Sequence, residues 1–300
     1  MEKHVNLILG TAQLGSKYGV QEGSLFQNNE EIVKVLQCCI DNGVTSIDTA
    51  IGYGESEAII GNFKYNGFKI FTKIPRIPPD VDDHYSYCMR LYQQSLSRLN
   101  VSYLEGVLLH FSQDIHSKGV RQFLNEIKRQ KLTNNIGLSI YDPNELEKCG
   151  EHLNIDLIQA PVNVFDRRIL NNSTFRKLKS DGVKLQARSI FLQGLLTAPI
   201  SKLDEWFMKW NSLLERWERT CKSDRATKIK TCMNSVLYES VINSVVIGFD
   251  SAAQCKEVID IYKNHAKFKM TCFSCTDQDL INPSHWKLNR PISPISSTKR

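Results

Sequence analysis

Short apolar, β-prone runs recur along the chain at 5–9, 45–47, 69–72, 104–109, 135–139, 156–159, 183–187 and 244–247. Each has the length of a strand. Between most of them apolar positions return every three or four residues, as at Ile32, Val33, Leu36, Cys39 and Ile40, at Leu91, Leu96 and Leu99, and at Val120, Phe123, Leu124 and Ile127. That spacing lays one apolar stripe along a helix. Strands alternating with helices predict a parallel sheet covered by helices, and the count of eight favours a closed (β/α)8 barrel of the TIM type over an open doubly wound sheet. The open alternative also lacks its fingerprint, because Leu9 is followed by Gly10-Thr-Ala-Gln-Leu-Gly15 and not by the GxGxxG turn of a dinucleotide-binding sheet.

The longest interval precedes the eighth run. It carries Leu203, Trp206, Phe207, Trp210, Leu213, Leu214 and Trp217 at helical spacing, then a second helical stretch over 226–241. An aromatic stripe on a helix normally faces a core, so these tryptophans are read as packing residues. Periodicity fades after Tyr262, and residues 289–300 are polar and proline-bearing. The chain is therefore divided into a barrel over 1–265 and a tail over 266–300 that frays or drapes over the barrel.

Composition narrows the function classes. With 41% apolar residues in 300, one large core is within reach. The formal charge of +6, from 38 basic and 32 acidic residues, comes without basic runs, which argues against a nucleic-acid partner. No run approaches the roughly 18 apolar residues of a membrane span, and Met1-Glu-Lys-His is no secretion signal, so a cytoplasmic protein is expected. Nine scattered cysteines suit reduced thiols. Cys272-Phe-Ser-Cys275, flanked by His265 and His285, lacks the second ligand pair of a structural zinc site.

Candidate chemistry lies where polar residues meet strand ends. Asp48, Lys73, His110, Ser139, Gln159 and Arg188 all fall at the C-terminal ends of predicted strands. In an eight-stranded α/β barrel that end forms the active site, so six separate positions converge on one mouth. Singly, each has a plainer reading: Asp48 as a helix cap, Lys73 as a surface lysine, His110 as a satisfied strand-end histidine, Tyr53 as a turn aromatic.

Together, Asp48-Thr-Ala-Ile-Gly-Tyr53-Gly-Glu-Ser-Glu57, Phe71-Thr-Lys73 and Leu108-Leu-His110 resemble the aldo-keto reductase superfamily, with similarity running from Leu7 to about Ile261. The resemblance implies an NAD(P)H-dependent oxidoreductase that reduces a small carbonyl compound. Tyr53 would be the general acid, Lys73 its tuner, Asp48 the anchor of Lys73, and His110 the donor that orients the carbonyl oxygen. Free tyrosine, with a pKa near 10, is a sluggish acid, and an adjacent ammonium is expected to lower it.

The same resemblance implies cofactor contacts. Ser139 and Gln159 would hold the nicotinamide carboxamide, with Asn163 continuing that strand-end motif, and Arg188 through Gly194 would wrap the pyrophosphate. Gly10 and Thr11 open a glycine-bearing loop, 10–19, at the same mouth. Gly248, Asp250, Ser251 and Gln254 open the last helix, whose N–H groups offer an anion site for the adenosine phosphate. Arg188 stands where the family usually has an aromatic residue or serine. No arginine lies near Ser251 in the sequence, and Val258 replaces a common adenine-contacting asparagine. NADPH is expected from family habit, with NADH left open. The wording LGTAQLG and RSIFLQGLL is similar to bacterial members of carbohydrate pathways, which implies a sugar-derived carbonyl substrate. Two other readings stand beside this one: a cofactor-binding sensor with little turnover, and an aldolase using Lys73 as a Schiff-base nucleophile.

Overall fold

A computed structural model describes residues 5–15, 29–63, 67–268 and 272–289. Eight parallel strands close into a barrel in sequence order: β1 (Asn6–Gly10), β2 (Ser46–Asp48), β3 (Lys69–Ile74), β4 (Leu104–Leu109), β5 (Thr133–Ser139), β6 (Leu157–Pro161), β7 (Lys184–Arg188) and β8 (Ser244–Gly248). All eight apolar runs therefore form strands, with ends shifted by no more than about two residues, the usual ambiguity of element boundaries.

Side chains alternate along a strand, and this alternation sorts the barrel into an outside and an inside. Leu7, Leu9, Ile47, Ile70, Val107, Leu109, Ile136, Leu138, Ile158, Leu185, Val245 and Ile247 belong to the main core between sheet and helices. The intervening positions face inward. Ile8, Phe71, Leu108, Leu157 and Val246 form a separate buried cluster there. Two residues further along each strand the chain reaches Gly10, Asp48, Lys73, His110, Ser139, Gln159, Arg188 and Gly248. One turn of the period-two pattern thus places the polar candidates in a single layer above an apolar plug. The register agrees, since Gly10 pairs with Asp48 on one side and Gly248 on the other, while Gln159 pairs with Ser139 and Gln186.

The helices outside bury the stripes that the sequence shows. Helix Asn29–Asp41 buries Ile32, Val35, Leu36 and Cys39, although Val33, counted in the stripe, is 48% exposed. Helix Lys118–Arg129 buries Val120, Phe123, Leu124 and Ile127. Between β7 and β8 lie helices Asn211–Thr220 and Arg225–Leu237. The tail docks on the aromatic stripe. Phe273 meets Trp217 edge-on at 5.3 Å, Trp286 meets Phe207 at 4.9 Å, and the Trp210 indole N–H donates to the Asp277 carboxylate at 2.9 Å. The expected fraying at 290–300 and the loop glycine Gly19 lie outside the described residues. Among the described residues no helix is long and apolar enough to cross a membrane, and no three potential ligand side chains gather as a metal site.

Candidate active site

Tyr53 is carried by the turn between β2 and helix Ser56–Asn62, and two glycines fix that turn. A Cβ on Gly15 would lie 1.8 Å from the Tyr53 carbonyl oxygen, and one on Gly54, at φ +56°, would lie 2.4 Å from the Gly15 carbonyl. The two loops therefore touch backbone to backbone, which only glycine permits. The Ser56 hydroxyl ties them further by donating to Thr11 Oγ1 at 2.8 Å, while Thr11 donates to the Asp48 carbonyl at 3.1 Å. The rest of the motif is framework: Glu57, 1% exposed, accepts from Thr72, Ser95 and Arg98.

Lys73 is 1% exposed and donates three hydrogen bonds: to Asp48 Oδ2 at 2.6 Å, to the Thr49 carbonyl at 2.8 Å and to the Tyr53 hydroxyl oxygen at 3.4 Å. An ammonium has three protons, so all are engaged. The other Asp48 oxygen accepts from the Gln159 amide at 2.7 Å, which fixes the carboxylate from two sides. Because the Tyr53 oxygen accepts from Lys73, its own proton is left for another acceptor. The His110 ring stands edge-on to Tyr53 at 5.9 Å, and no hydrogen-bond partner among the described residues holds it.

The electrostatics differ from expectation at Tyr53. Burial, then the Asp48 carboxylate and Tyr141, push its hydroxyl well above the ordinary phenol value, against a smaller opposing pull from Arg188. The expected lowering by Lys73 does not prevail, since that ammonium bonds chiefly to Asp48 and Thr49 and burial penalises the phenolate. Burial also lowers Lys73, with Asp48 opposing the shift. His110 is pushed down to about 3 by burial and by the positive charges of Lys73 and Arg188, so its ring is neutral at physiological pH.

From Tyr53 a cleft runs across the barrel mouth. Gly10, Thr11, Asp48, Arg188, Gly194, Gly248, Asp250 and Gln254 line it, as do Gln13 and Gln193, which lie within the two loops the sequence singled out, and Arg225, which sequence reasoning missed. The loop after β7 is bent into it through positive φ at Ser189, Leu192, Gln193 and Gly194, and such strain in non-glycine residues concentrates at functional sites. Arg188 lies 4.2 Å over the Tyr141 ring and donates to the Ile140 carbonyl at 2.9 Å. Ser139 and Gln159 are buried side by side in the strand layer next to Asp48 and do not themselves line the cleft. Gln159 Oε1 is buried without a partner among the described residues, an acceptor suited to the carboxamide N–H of a nicotinamide.

At the far end the arrangement departs from the expected phosphate site. Ser251 caps helix Ala252–Lys263 by accepting from Gln254 N–H at 3.2 Å, and Gln254 Oε1 accepts from Asp250 N–H at 2.6 Å. The Ala252 N–H donates to Glu31 of helix Asn29–Asp41 at 2.9 Å. An arginine does reach this region: Arg225, remote from Ser251 in sequence, lines the cleft while ion-paired to Glu257. No local sequence signal joins Glu31, Arg225 and Asp250, because the barrel brings them together from three separate elements.

A closed barrel with a buried lysine, carboxylate and tyrosine and a half-buried histidine at the C-terminal mouth, beside a long cleft, defines a class of nicotinamide-dependent carbonyl oxidoreductases. The profile of the aldo/keto reductase family matches residues 6–271, and the chain belongs to that family. It is similar to the NADH-specific methylglyoxal reductase of Escherichia coli, at 25% identity over 74% of this chain and 81% of the relative. It is also similar to the glyoxal reductase of Bacillus subtilis, at 26% identity over 57% of this chain and 62% of the relative. In fold it matches an aldo-keto reductase from Bacillus halodurans, solved in its holo form, with a TM-score of 0.70 and 19% identity over 90% of this chain and 93% of that one.

Proposed function

We propose that this protein reduces the aldehyde or ketone of a small polar compound, with Tyr53 as general acid. The observation that carries the reading is the Tyr53 hydroxyl, which accepts from Lys73 and keeps its own proton at the edge of the cleft. The chemistry a nicotinamide dinucleotide would supply here, when bound, is the hydride for the carbonyl carbon. Tyr53 gives its proton to the carbonyl oxygen as negative charge develops there, a contribution of roughly 10²–10⁴ for a positioned acid. Lys73 steadies the phenolate left behind, Asp48 and Gln159 hold Lys73 in place, and the neutral His110 ring donates its N–H to the same oxygen.

The residues fit a dinucleotide. Gln159 Oε1 and Ser139 would take the carboxamide, the strained loop from Arg188 to Gly194 with Gly10 and Thr11 would flank the pyrophosphate, and Gly248, Asp250, Ser251 and Gln254 would frame the adenosine. Thr11 and Ser251 act by shaping these loops, because their hydroxyls are hydrogen-bonded within the protein.

The sequence wording favours a sugar-derived carbonyl, and the names of the relatives favour 2-oxoaldehydes. Both are compact and polar, in keeping with a mouth that bears Arg188 and His110. We place the enzyme in the cytoplasm on the strength of its nine unpaired cysteines. Purified protein mixed with reduced dinucleotide is expected to oxidise it in the presence of methylglyoxal, glyoxal or a sugar aldehyde. Saturable dinucleotide binding without oxidation by any member of such a panel would favour the sensor reading instead.

A further inference from the structure

The adenosine end of the cleft, on the reading just given, discriminates between phosphorylated and unphosphorylated cofactors. Tyr53 marks the reacting end, so the opposite end, lined by Arg225, Asp250, Gln254 and Val258, receives the adenosine half. A ribose 2′-phosphate carries a charge of about −1.5 to −2 and three acceptor oxygens, so its site must supply cations and free N–H donors.

The donors here are already engaged. At the start of helix Ala252–Lys263, the Ala252 N–H donates to the Glu31 carboxylate at 2.9 Å and the Gln254 N–H to Ser251 at 3.2 Å, while the preceding Asp250 N–H donates to Gln254 at 2.6 Å. A carboxylate thus sits where a phosphate would bind. The cation is engaged too, since Arg225 is ion-paired to Glu257. Among the described residues three carboxylates, Glu31, Asp250 and Glu257, stand at this end against two cations, since Lys34 lies 3.5 Å from Glu31 and Arg225 pairs with Glu257, and Asp250 is the one of the three with no ion pair. Asp250 adds the positive half of the case: the Gln13 side chain serves its carboxylate, but Oδ1 itself is buried in the cleft wall with no hydrogen-bond partner among the described residues. That oxygen needs a donor, and a ribose hydroxyl is one.

We infer that this enzyme selects NADH over NADPH, with Asp250 accepting the ribose 2′-hydroxyl and Asp250 and Glu31 together repelling a 2′-phosphate. The preference runs against the NADPH expected from family habit. It combines an attraction for one ligand with a repulsion of the other, the usual construction of specificity.

The test is a pair of binding titrations on the cofactor-free protein, followed by nicotinamide fluorescence and by the shift in melting temperature. Wild type is expected to bind NADH roughly ten- to a hundredfold more tightly than NADPH, the range for one charged hydrogen bond gained or left unmade. Asp250→Ser replaces the carboxylate with a shorter, neutral hydroxyl and so removes the charge and the charged acceptor, and should narrow that ratio by weakening NADH and tightening NADPH. Glu31→Gln keeps an acceptor for Ala252 and loses only charge, so it should tighten NADPH selectively; an unliganded melt checks that each variant is folded. Equal or tighter binding of NADPH by wild type, or an unchanged ratio in folded Asp250→Ser, overturns the inference. Failure of both dinucleotides to bind wild type would overturn the proposed function itself.

Discussion

Lys73 shows how one residue sets the state of its neighbours. Its ammonium is directed by Asp48 and the Thr49 carbonyl, and the third proton reaches Tyr53, so the phenol is oriented more than it is acidified. With the Tyr53 hydroxyl held well above the ordinary phenol value, reduction should show no alkaline fall near pH 10 from loss of that proton. His110 makes a second prediction. Its folded pKa of about 3 lies below the unfolded value near 6.5, so its neutral ring contributes stability fully above pH 6.5. That contribution falls away as the pH drops from 6.5 towards 3. Denaturant melts across this window should therefore show a shallower acid loss for His110→Gln than for wild type. Parallel pH profiles for the two proteins would show that the ring is not held neutral by the fold.

The decisive elements are loops held by packing, and the turn bearing Tyr53 is the sharpest case. In Gly15→Ala the new methyl would meet backbone atoms at 1.8 Å and 2.8 Å, which cannot move aside as a flexible side chain would. Overpacking of this kind costs about 1–3 kcal/mol or more. The expected result is a lower melting temperature together with a larger fall in turnover, because the displaced turn carries Tyr53. Undiminished turnover would show that the turn tolerates the shift. The strand-borne layer was legible in the sequence for a physical reason: a period of two fixes which residues face inward, so Asp48, Lys73, His110 and Gln159 announce themselves by position. The far end of the cleft was legible only in part: the sequence singled out Gly248, Asp250 and Gln254, which line it, but not Glu31 or Arg225. Glu31 belongs to the helix after β1, Arg225 to the helix before β8, and Asp250 to the loop after β8, so only closure of the barrel brings them near one another. Ser251 and Gln254 were read as ligand contacts, yet their polar atoms first serve helix capping and the loop backbone.

Across the whole molecule one apolar core runs from Val5 to Ile281, and the tail is part of it. Phe273, Leu280 and Ile281 are each 2% exposed or less. At about 1.5–3 kcal/mol for each buried apolar side chain, their loss approaches the 5–15 kcal/mol of a typical domain. The sequence left the tail either frayed or draped over the barrel, because its own residues have no period; the period lies in the tryptophan-bearing stripe it covers. Truncation after residue 271 is expected to give a protein that aggregates or melts far below the full chain in a thermal scan. An unchanged melting temperature would show the tail to be dispensable.

Proton delivery by Tyr53 is the central claim, and single-turnover kinetics test it most directly. Enzyme loaded with reduced dinucleotide is mixed with an aldehyde that the wild type reduces, and cofactor oxidation is followed through one turnover. Tyr53→Phe should bind the dinucleotide as wild type does and oxidise it roughly 10²–10⁴ times more slowly. Oxidation at the wild-type rate in Tyr53→Phe, with binding intact, would contradict the account.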